Sequence, residues 1–316
     1  MNKNIRSTIS RIQKIVLLFS TLLIVQKSFS QKSKVKEGKI HHYLNFYSTH
    51  ISSRNVDVWL PADYTSKKKY AVLYMHDGQM LFDSSITWNH QSWQADIAIS
   101  NLLKDKKIRN TIIVAIWNIP ATRYADYFPQ KTIKHIPDTT LHRIQTEQFK
   151  APPQADNYLR FIVKELKPFI DKTYSTHKDV NNTFIMGSSM GGLISLYALC
   201  EYPKVFGGAG CLSIHSPMAK ADLIGENTDK EVSVHFRNYL MKHLPKANTK
   251  KIYIDYGDKT LDSFYQPYQL AMDKVLKKKG YKAPFWVTRF FPGEGHVETA
   301  WAKRLTIPME FLLKKN

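Results

Sequence analysis

Cysteine is nearly absent from this chain. Only Cys200 and Cys211 occur among 316 residues, which excludes a disulfide-scaffolded fold. Both sit in apolar runs and read as buried thiols, with a single bridge as the alternative in an exported chain. No Cys/His spacing resembles a zinc site, and no metal or other cofactor is expected. Acidic residues are scarce as well: 26 Asp and Glu stand against 46 Lys and Arg. The cationic surplus lies in short groups such as "SKKK" and "KDKK". No nucleic-acid motif accompanies them, so they read as a solvated basic surface rather than a nucleic-acid interface. Internal repeats and low-complexity linkers are missing. Apolar runs long enough for a bilayer, about 20 residues, are missing too. The amino-terminal "IVLLFSTLLIV" reaches only 11, so stable membrane insertion is not expected.

That short run has a different reading. Lys3, Arg6, Arg11 and Lys14 precede it, and Ser28 and Ser30 follow at the −3 and −1 positions of a cut before Gln31. Basic, apolar and small residues in this order predict a secretory signal peptide over residues 1–30 and export to the periplasm or beyond the cell. The remaining residues, 31–316, are one large domain's worth of chain and hold 41 basic residues against 26 acidic ones. Residues 31–40 read as a loose polar lead-in.

Beyond the lead-in, apolar segments alternate in type. "NVDVWLP" has the period of two of a strand, ended by Pro61. "YAVLYMHD", "NTIIVAIWN", "GGAGCLSI", "KIYIDYG" and "FWVTRFF" read as further strands. The nearly continuous apolar runs among them suit central parallel strands buried on both faces. Between them, "SWQADIAISNLLKD", "ADNYLRFIVKELKPFIDKTY", "SFYQPYQLAMDKVLKKKG" and "ETAWAKRLTIPMEFLL" read as helices. Alternating strands and helices predict an α/β fold, with a mostly parallel sheet covered by helices on both faces. Ligands in such sheets bind beyond the carboxyl ends of the strands.

The chemistry concentrates there. "IMGSSMGGL" contains Gly187-Ser188-Ser189-Met190-Gly191, a Gly-x-Ser-x-Gly turn between a strand pattern and a helix pattern. That context marks a nucleophile elbow, with Ser189 held over the sheet edge. The Met190 N–H supplies one oxyanion donor. A serine hydroxyl needs a base. His296, in the glycine-flanked "FFPGEGHVETAW" loop after the last strand, is the candidate; His215 follows an earlier strand and reads as a structural or pocket residue. The acid should follow "KIYIDYG", and Asp258, Asp262 and Asp255 are candidates. Strand-end proximity favours Asp258. The reach needed to meet a neighbouring loop favours Asp262. The second oxyanion donor falls in "HDGQMLFD", at the N–H of Gln79 or Met80, where Gly78 permits close backbone approach.

"YAVLYMHDGQMLFD", "FIMGSSMGGLISLYALCEYPKVFGGAGCLS", "YIDYGDKTLDSFYQPYQ" and "FPGEGHVETAW" together resemble the putative-esterase family of α/β hydrolases, over about residues 45–315. That family includes enterochelin, feruloyl and S-formylglutathione esterases. The resemblance implies the α/β-hydrolase fold and a Ser189–His296–Asp262 triad working through an acyl-enzyme. It places the oxyanion loop at "HDGQMLFD", with Gln79 beside Met190. Met80 departs from the family, which often has Asn at that position. "NIPATRYADYFP" resembles the family's Arg-x-x-x-Tyr-x-Pro segment through Arg123, Tyr127 and Pro129. Arg123 is read either as a contact for a carboxylate or catecholate or as a structural ion pair. Trp88, Tyr124 and Tyr127 lie in the same strand-following segments, and with Arg123 and His215 they complete the expected substrate-binding set. The expected partner is a small-molecule or glycan ester of carbohydrate-linked, feruloyl or siderophore type. The rivals are an acyltransferase on the same fold and a non-catalytic binding protein.

Overall fold

The computed structural model describes residues 32–147, 149, 151–219 and 227–315. The leader expected over residues 1–30 lies outside them. Residues 33–316 form one compact unit.

The unit is built on an eight-stranded sheet in the order β1-β2-β4-β3-β5-β6-β7-β8. Its strands are β1 (Lys39–Phe46), β2 (Arg54–Leu60), β3 (Ala71–His76), β4 (Thr111–Ile116), β5 (Thr183–Ser188), β6 (Gly208–Leu212), β7 (Lys251–Tyr256) and β8 (Trp286–Phe290). β2 runs antiparallel to both neighbours, and β4 through β8 are parallel. Every residue of β3, β4, β5 and β6 is buried, which is why those sequences are apolar without alternation. Successive side chains feed opposite cores. Val72, Tyr74, Ile112, Val114 and Ile185 face one; Leu73, Met75, Ile113, Ala115 and Met186 face the other.

Helices fill both sides. α1 (Ala95–Lys104) joins the second core, with α9 (Glu298–Arg304) and α10 (Thr306–Leu313). The first core takes α2 (Arg123–Tyr127), α3 (Asp138–Glu147), α4 (Ala155–Arg160), α5 (Lys167–Thr173), α6 (Met190–Glu201), α7 (Asn227–His243) and α8 (Gln266–Lys278). α4 and α5 are joined by a π-helical turn, Phe161–Leu166, just before Pro168. The proline that the sequence offers as a kink is absorbed there by a widened turn, because Pro168 donates no N–H to a regular ladder.

The α/β-hydrolase architecture is thus the one expected. The amino-terminal lead-in is tighter than expected. Ser33 Oγ donates to Asp57 at 3.0 Å, and the Lys36 and Glu37 N–H groups donate to Asp96 at 2.7 and 3.2 Å. These bonds hold the chain as it enters β1.

Candidate active site

Six loops leave the carboxyl ends of parallel strands on one side of the sheet, and the chemistry-bearing residues sit on them. After β5 comes Ser189, with φ 55° and ψ −123°. A non-glycine residue is strained there, and the surroundings hold it. Its N–H donates to the Leu212 carbonyl at 2.9 Å, and its own carbonyl accepts from Gly192 and His215 at 3.0 and 3.2 Å. A Cβ on Gly187 would lie 2.7 Å from the Gly191 carbonyl carbon, so the tight turn requires glycine. Met190 opens α6 directly afterwards. Its N–H is one of the helix-terminal donors that have no partner within the helix.

After β3, Asp77 adopts a left-handed conformation, φ 57°, and starts the short 3₁₀ turn Gly78–Met80. A Cβ on Gly78 would approach Ala115 to 2.7 Å, so only glycine lets this turn lie against β4. The Met80 N–H donates to the Asp77 carbonyl at 2.8 Å. Asp77 is gripped by Arg123, whose Nε and Nη2 both donate at 2.8 Å, and by Asn118 at 2.6 Å. Burial opposes its ionisation, but the Arg123 charge and these donors hold the carboxyl below its ordinary range.

The loops after β7 and β8 are joined. The Glu294 carbonyl accepts from the Asp258 and Lys259 N–H groups at 3.0 and 3.1 Å. The Asp258 carboxylate accepts from the Gly293 N–H at 2.8 Å, and Thr260 Oγ1 accepts from the His296 N–H at 2.7 Å. A Cβ on Gly257 would fall 2.0 Å from the Glu294 oxygen, so this junction depends on a bare backbone. Asp262 is fully buried, and its Oδ1 lies 2.7 Å from His296 Nδ1. Its Oδ2 accepts from the Gly257 N–H at 2.7 Å and the Ser213 hydroxyl at 2.6 Å. Burial raises its pKa, but the His296 contact and these donors outweigh that and keep it low. An ionised carboxylate only accepts, so Nδ1 carries a proton, which in the neutral imidazole leaves the lone pair on Nε2. The His296 ring is held edge-on by Tyr265 and Trp301, at centroid distances of 5.5 and 5.1 Å.

Ser189 and His296 open onto the same cleft of about 410 Å³. Gln79, Trp88, Arg123 and Tyr124 line it, together with Asn89, Trp93, Asn118, Glu298 and Trp301. Trp88 stands 84% exposed at the mouth. Its loop is tied down where Asn89 Nδ2 donates to Glu298 at 2.7 Å. Two residues expected to meet substrate lie behind the wall instead. Tyr127 is fully buried against His76 and Tyr158. His215 is buried with its Nδ1 on the Tyr265 hydroxyl at 2.6 Å. Both are aromatic groups in segments that follow strands, and sequence position alone does not say which way such a ring faces. Arg123 forms the ion pair of its two readings. Both sulfurs are free and buried. Tyr265, Ser213, Trp301 and Arg304 were not anticipated. Trp301 and Arg304 had one available signal: they sit three apart, hence on one helical face, just after the His296 loop.

Residues 48–307 match the family described as "Putative esterase". The chain belongs to this family. It is a carboxylic ester hydrolase. The esterase is 24% identical to Bacillus subtilis protein YjcH over 81% of this chain and 90% of that one. It is 23% identical to an endo-1,4-beta-xylanase/feruloyl esterase of Xylanibacter ruminicola, over 92% of this chain but 33% of that one. Among solved structures, it superposes on a ferulic acid esterase of Anaeromyces mucronatus with a TM-score of 0.59 and 20% identity, covering 90% and 95% of the two chains. Against the enterobactin esterase of Shigella flexneri the TM-score is 0.60 at 18% identity, covering 91% and 62%. At these identities the structural likenesses speak for the fold.

Proposed function

We propose that the esterase is an exported serine carboxylesterase that works through an acyl-enzyme. The observation that carries this reading is the 2.7 Å contact between His296 Nδ1 and buried Asp262, in a cleft that Ser189 also lines. His296 Nε2 takes the Ser189 proton as Oγ attacks the ester carbonyl. The Met190 and Gln79 N–H groups receive the oxyanion, and the Met80 N–H, spent on Asp77, is left out of that role. The imidazolium returns its proton to the leaving alcohol. Water then repeats the sequence and releases the acid. Asp262 fixes the imidazole tautomer and stabilises the imidazolium. No metal or cofactor takes part.

For the substrate, Trp88 and Tyr124 give the cleft flat apolar faces suited to a feruloyl ring or a sugar. Among the described residues that line the cleft, Arg123 is the one Lys or Arg, and its guanidinium is turned onto Asp77. Glu298 adds a negative charge. Carbohydrate-linked and feruloyl-type esters fit such a lining better than a polyanionic ferric catecholate.

The leader over residues 1–30 directs export, and residues 31–316 form the mature esterase domain. Among the described residues no helix is long and apolar enough to cross a membrane.

A fluorophosphonate probe tests the central claim. It labels the wild-type protein and should leave Ser189→Ala unlabelled. Equal labelling of both would remove Ser189 as nucleophile. Sequencing the amino terminus of protein from the producing cell should give Gln31; an intact Met1 would overturn the leader.

A further inference from the structure

The residue after β6 is Ser213, fully buried and at φ 39°. Its hydroxyl sits among three partners. Trp301 Nε1 donates to Oγ at 2.9 Å, and Arg304 Nη2 donates to it at 3.0 Å. The third partner is Asp262 Oδ2, at 2.6 Å. An indole N–H and a guanidinium are donors only, and a hydroxyl oxygen has two lone pairs and one proton. The two donors therefore occupy both lone pairs. Among the described residues, the Ser213 proton is left with one acceptor, the Asp262 carboxylate.

The lock is itself anchored. Arg304 pairs with buried Asp255 through Nη2 to Oδ1 at 3.0 Å and Nε to Oδ2 at 3.2 Å. Asp255 also accepts the Ser213 N–H at 3.0 Å and the Tyr253 hydroxyl at 3.0 Å. Backbone and side chain of Ser213 are thus both tied to one buried ion pair between β7 and α9. That over-determination holds a non-glycine residue at a positive φ.

We infer that Ser213 is a positioning residue for ester hydrolysis, held by Arg304 and Trp301 as a one-way donor that fixes the charge and rotation of Asp262. This rests on the triad reading above. Two fixed donors, Ser213 and the Gly257 N–H, saturate Oδ2 and turn Oδ1 alone toward His296. Hydrogen bonds to a charged group are the strong ones. Losing this one should cost about tenfold to a hundredfold in turnover.

A double-mutant cycle tests it, using kcat and KM for a chromogenic ester with wild type, Ser213→Ala, Asp262→Asn and the double variant. Ser213→Ala should lower kcat by about tenfold to a hundredfold, with KM within about twofold. In the Asp262→Asn background the same change should alter kcat by less than about twofold, since the carboxylate it acts through is gone. The acid limb of the kcat/KM profile of Ser213→Ala should move to higher pH, because a carboxylate with one donor fewer draws the imidazole proton more strongly. Should Ser213→Ala not fold, Ser213→Cys replaces it. A thiol is a weak donor, and its kcat should still fall in the wild-type background only. Equal losses in both backgrounds, or no loss in either, would overturn the role of Ser213. Near-wild-type turnover in Asp262→Asn alone would instead overturn the triad reading, so the two failures are separable.

Discussion

Two buried histidines should make this esterase sensitive to mild acid. His76 has its Nδ1 2.7 Å from the Tyr158 hydroxyl, and its Nε2 has no hydrogen-bond partner among the described residues. Burial pushes its pKa down to about 3; Asp77 acts against this, and the Arg123 and Arg54 charges add to it. His215 is also pushed to about 3, first by burial and then by His296 and Arg123, against the Ala219 carbonyl and Asp262. In the unfolded chain a histidine titrates near 6.5. Between about pH 6.5 and pH 3 the unfolded state therefore binds protons that the native state refuses, so stability falls as pH falls. Above pH 6.5 neither group contributes to the slope. At pH 5 each histidine costs about 2 kcal/mol, from 1.5 pH units at about 1.4 kcal/mol per unit. Together they remove about 4 kcal/mol, against a typical total of about 5–15. With an unfolding entropy of about 2.1 cal/mol/K per residue over residues 33–316, that is a fall in Tm of roughly 7 °C between pH 7.5 and pH 5. Urea unfolding at pH 7, 6 and 5 is the assay, on wild type, His76→Asn and His215→Asn. Asparagine keeps a polar atom near the position of Nδ1 and does not titrate. Each variant should lose stability at pH 7, yet its slope between pH 6 and 5 should be shallower than wild type by about 1 kcal/mol per pH unit. Slopes equal to wild type in both variants would refute the reasoning.

Three further outcomes follow from the geometry. Asp262→Asn should reduce kcat by up to about 10⁴ with little change in Tm, whereas Asp258→Asn, which keeps an oxygen to accept from the Gly293 N–H and gives up a negative charge beside Lys259, should cost less than about tenfold; the reverse ranking of kcat would make Asp258 the acid. Gly257→Ala puts a methyl 2.0 Å from the Glu294 oxygen, and should destabilise by about 1–3 kcal/mol or more in urea unfolding while lowering kcat; an unaltered enzyme would mean the two loops are not clamped there. Arg123→Ala should leave Asp77 buried without its charge partner and cost about 3–5 kcal/mol in denaturant unfolding. A selective rise in KM for anionic esters, with stability intact, would restore Arg123 as a substrate contact.

The centre of the sheet was legible in the sequence because burial on both faces leaves an unbroken apolar run, as in "YAVLYM" and "TIIVAI". β1 was not. It is a half-exposed edge strand, "KIHHYLNF", whose polar residues blur the period of two, and His42 reaches Asp57 at 2.7 Å on β2. The elbow was readable because strain and close approach demand particular glycines around Ser189. The choice between Asp258 and Asp262 was open for the opposite reason. Both carboxylates follow the same strand, and which one faces His296 depends on the 3₁₀ turn Thr260–Phe264 that carries Asp262 inward. Ser213 left no trace at all: a serine at the end of an apolar strand gives no sign that an indole and a guanidinium will converge on it from a helix 88 and 91 residues later.

The stitching between the loops after β7 and β8 has a consequence for how this esterase can change. Asp262 and His296 are carried on one bonded block, through Glu294, Gly293 and Thr260, whereas Ser189 is mounted on another strand and anchored to Leu212 and His215. In the proposed triad, acid and base would therefore move as a single part. A chimera exchanging the whole segment from β7 to α9 would bring them across already in register. Exchange of either loop alone would separate Asp258 from Gly293 and Gly257 from Glu294. Substitutions at Trp88 and Tyr124, outside this block, should leave Asp262 and His296 in register, whereas a change in one of the two loops beneath has to be matched in the other.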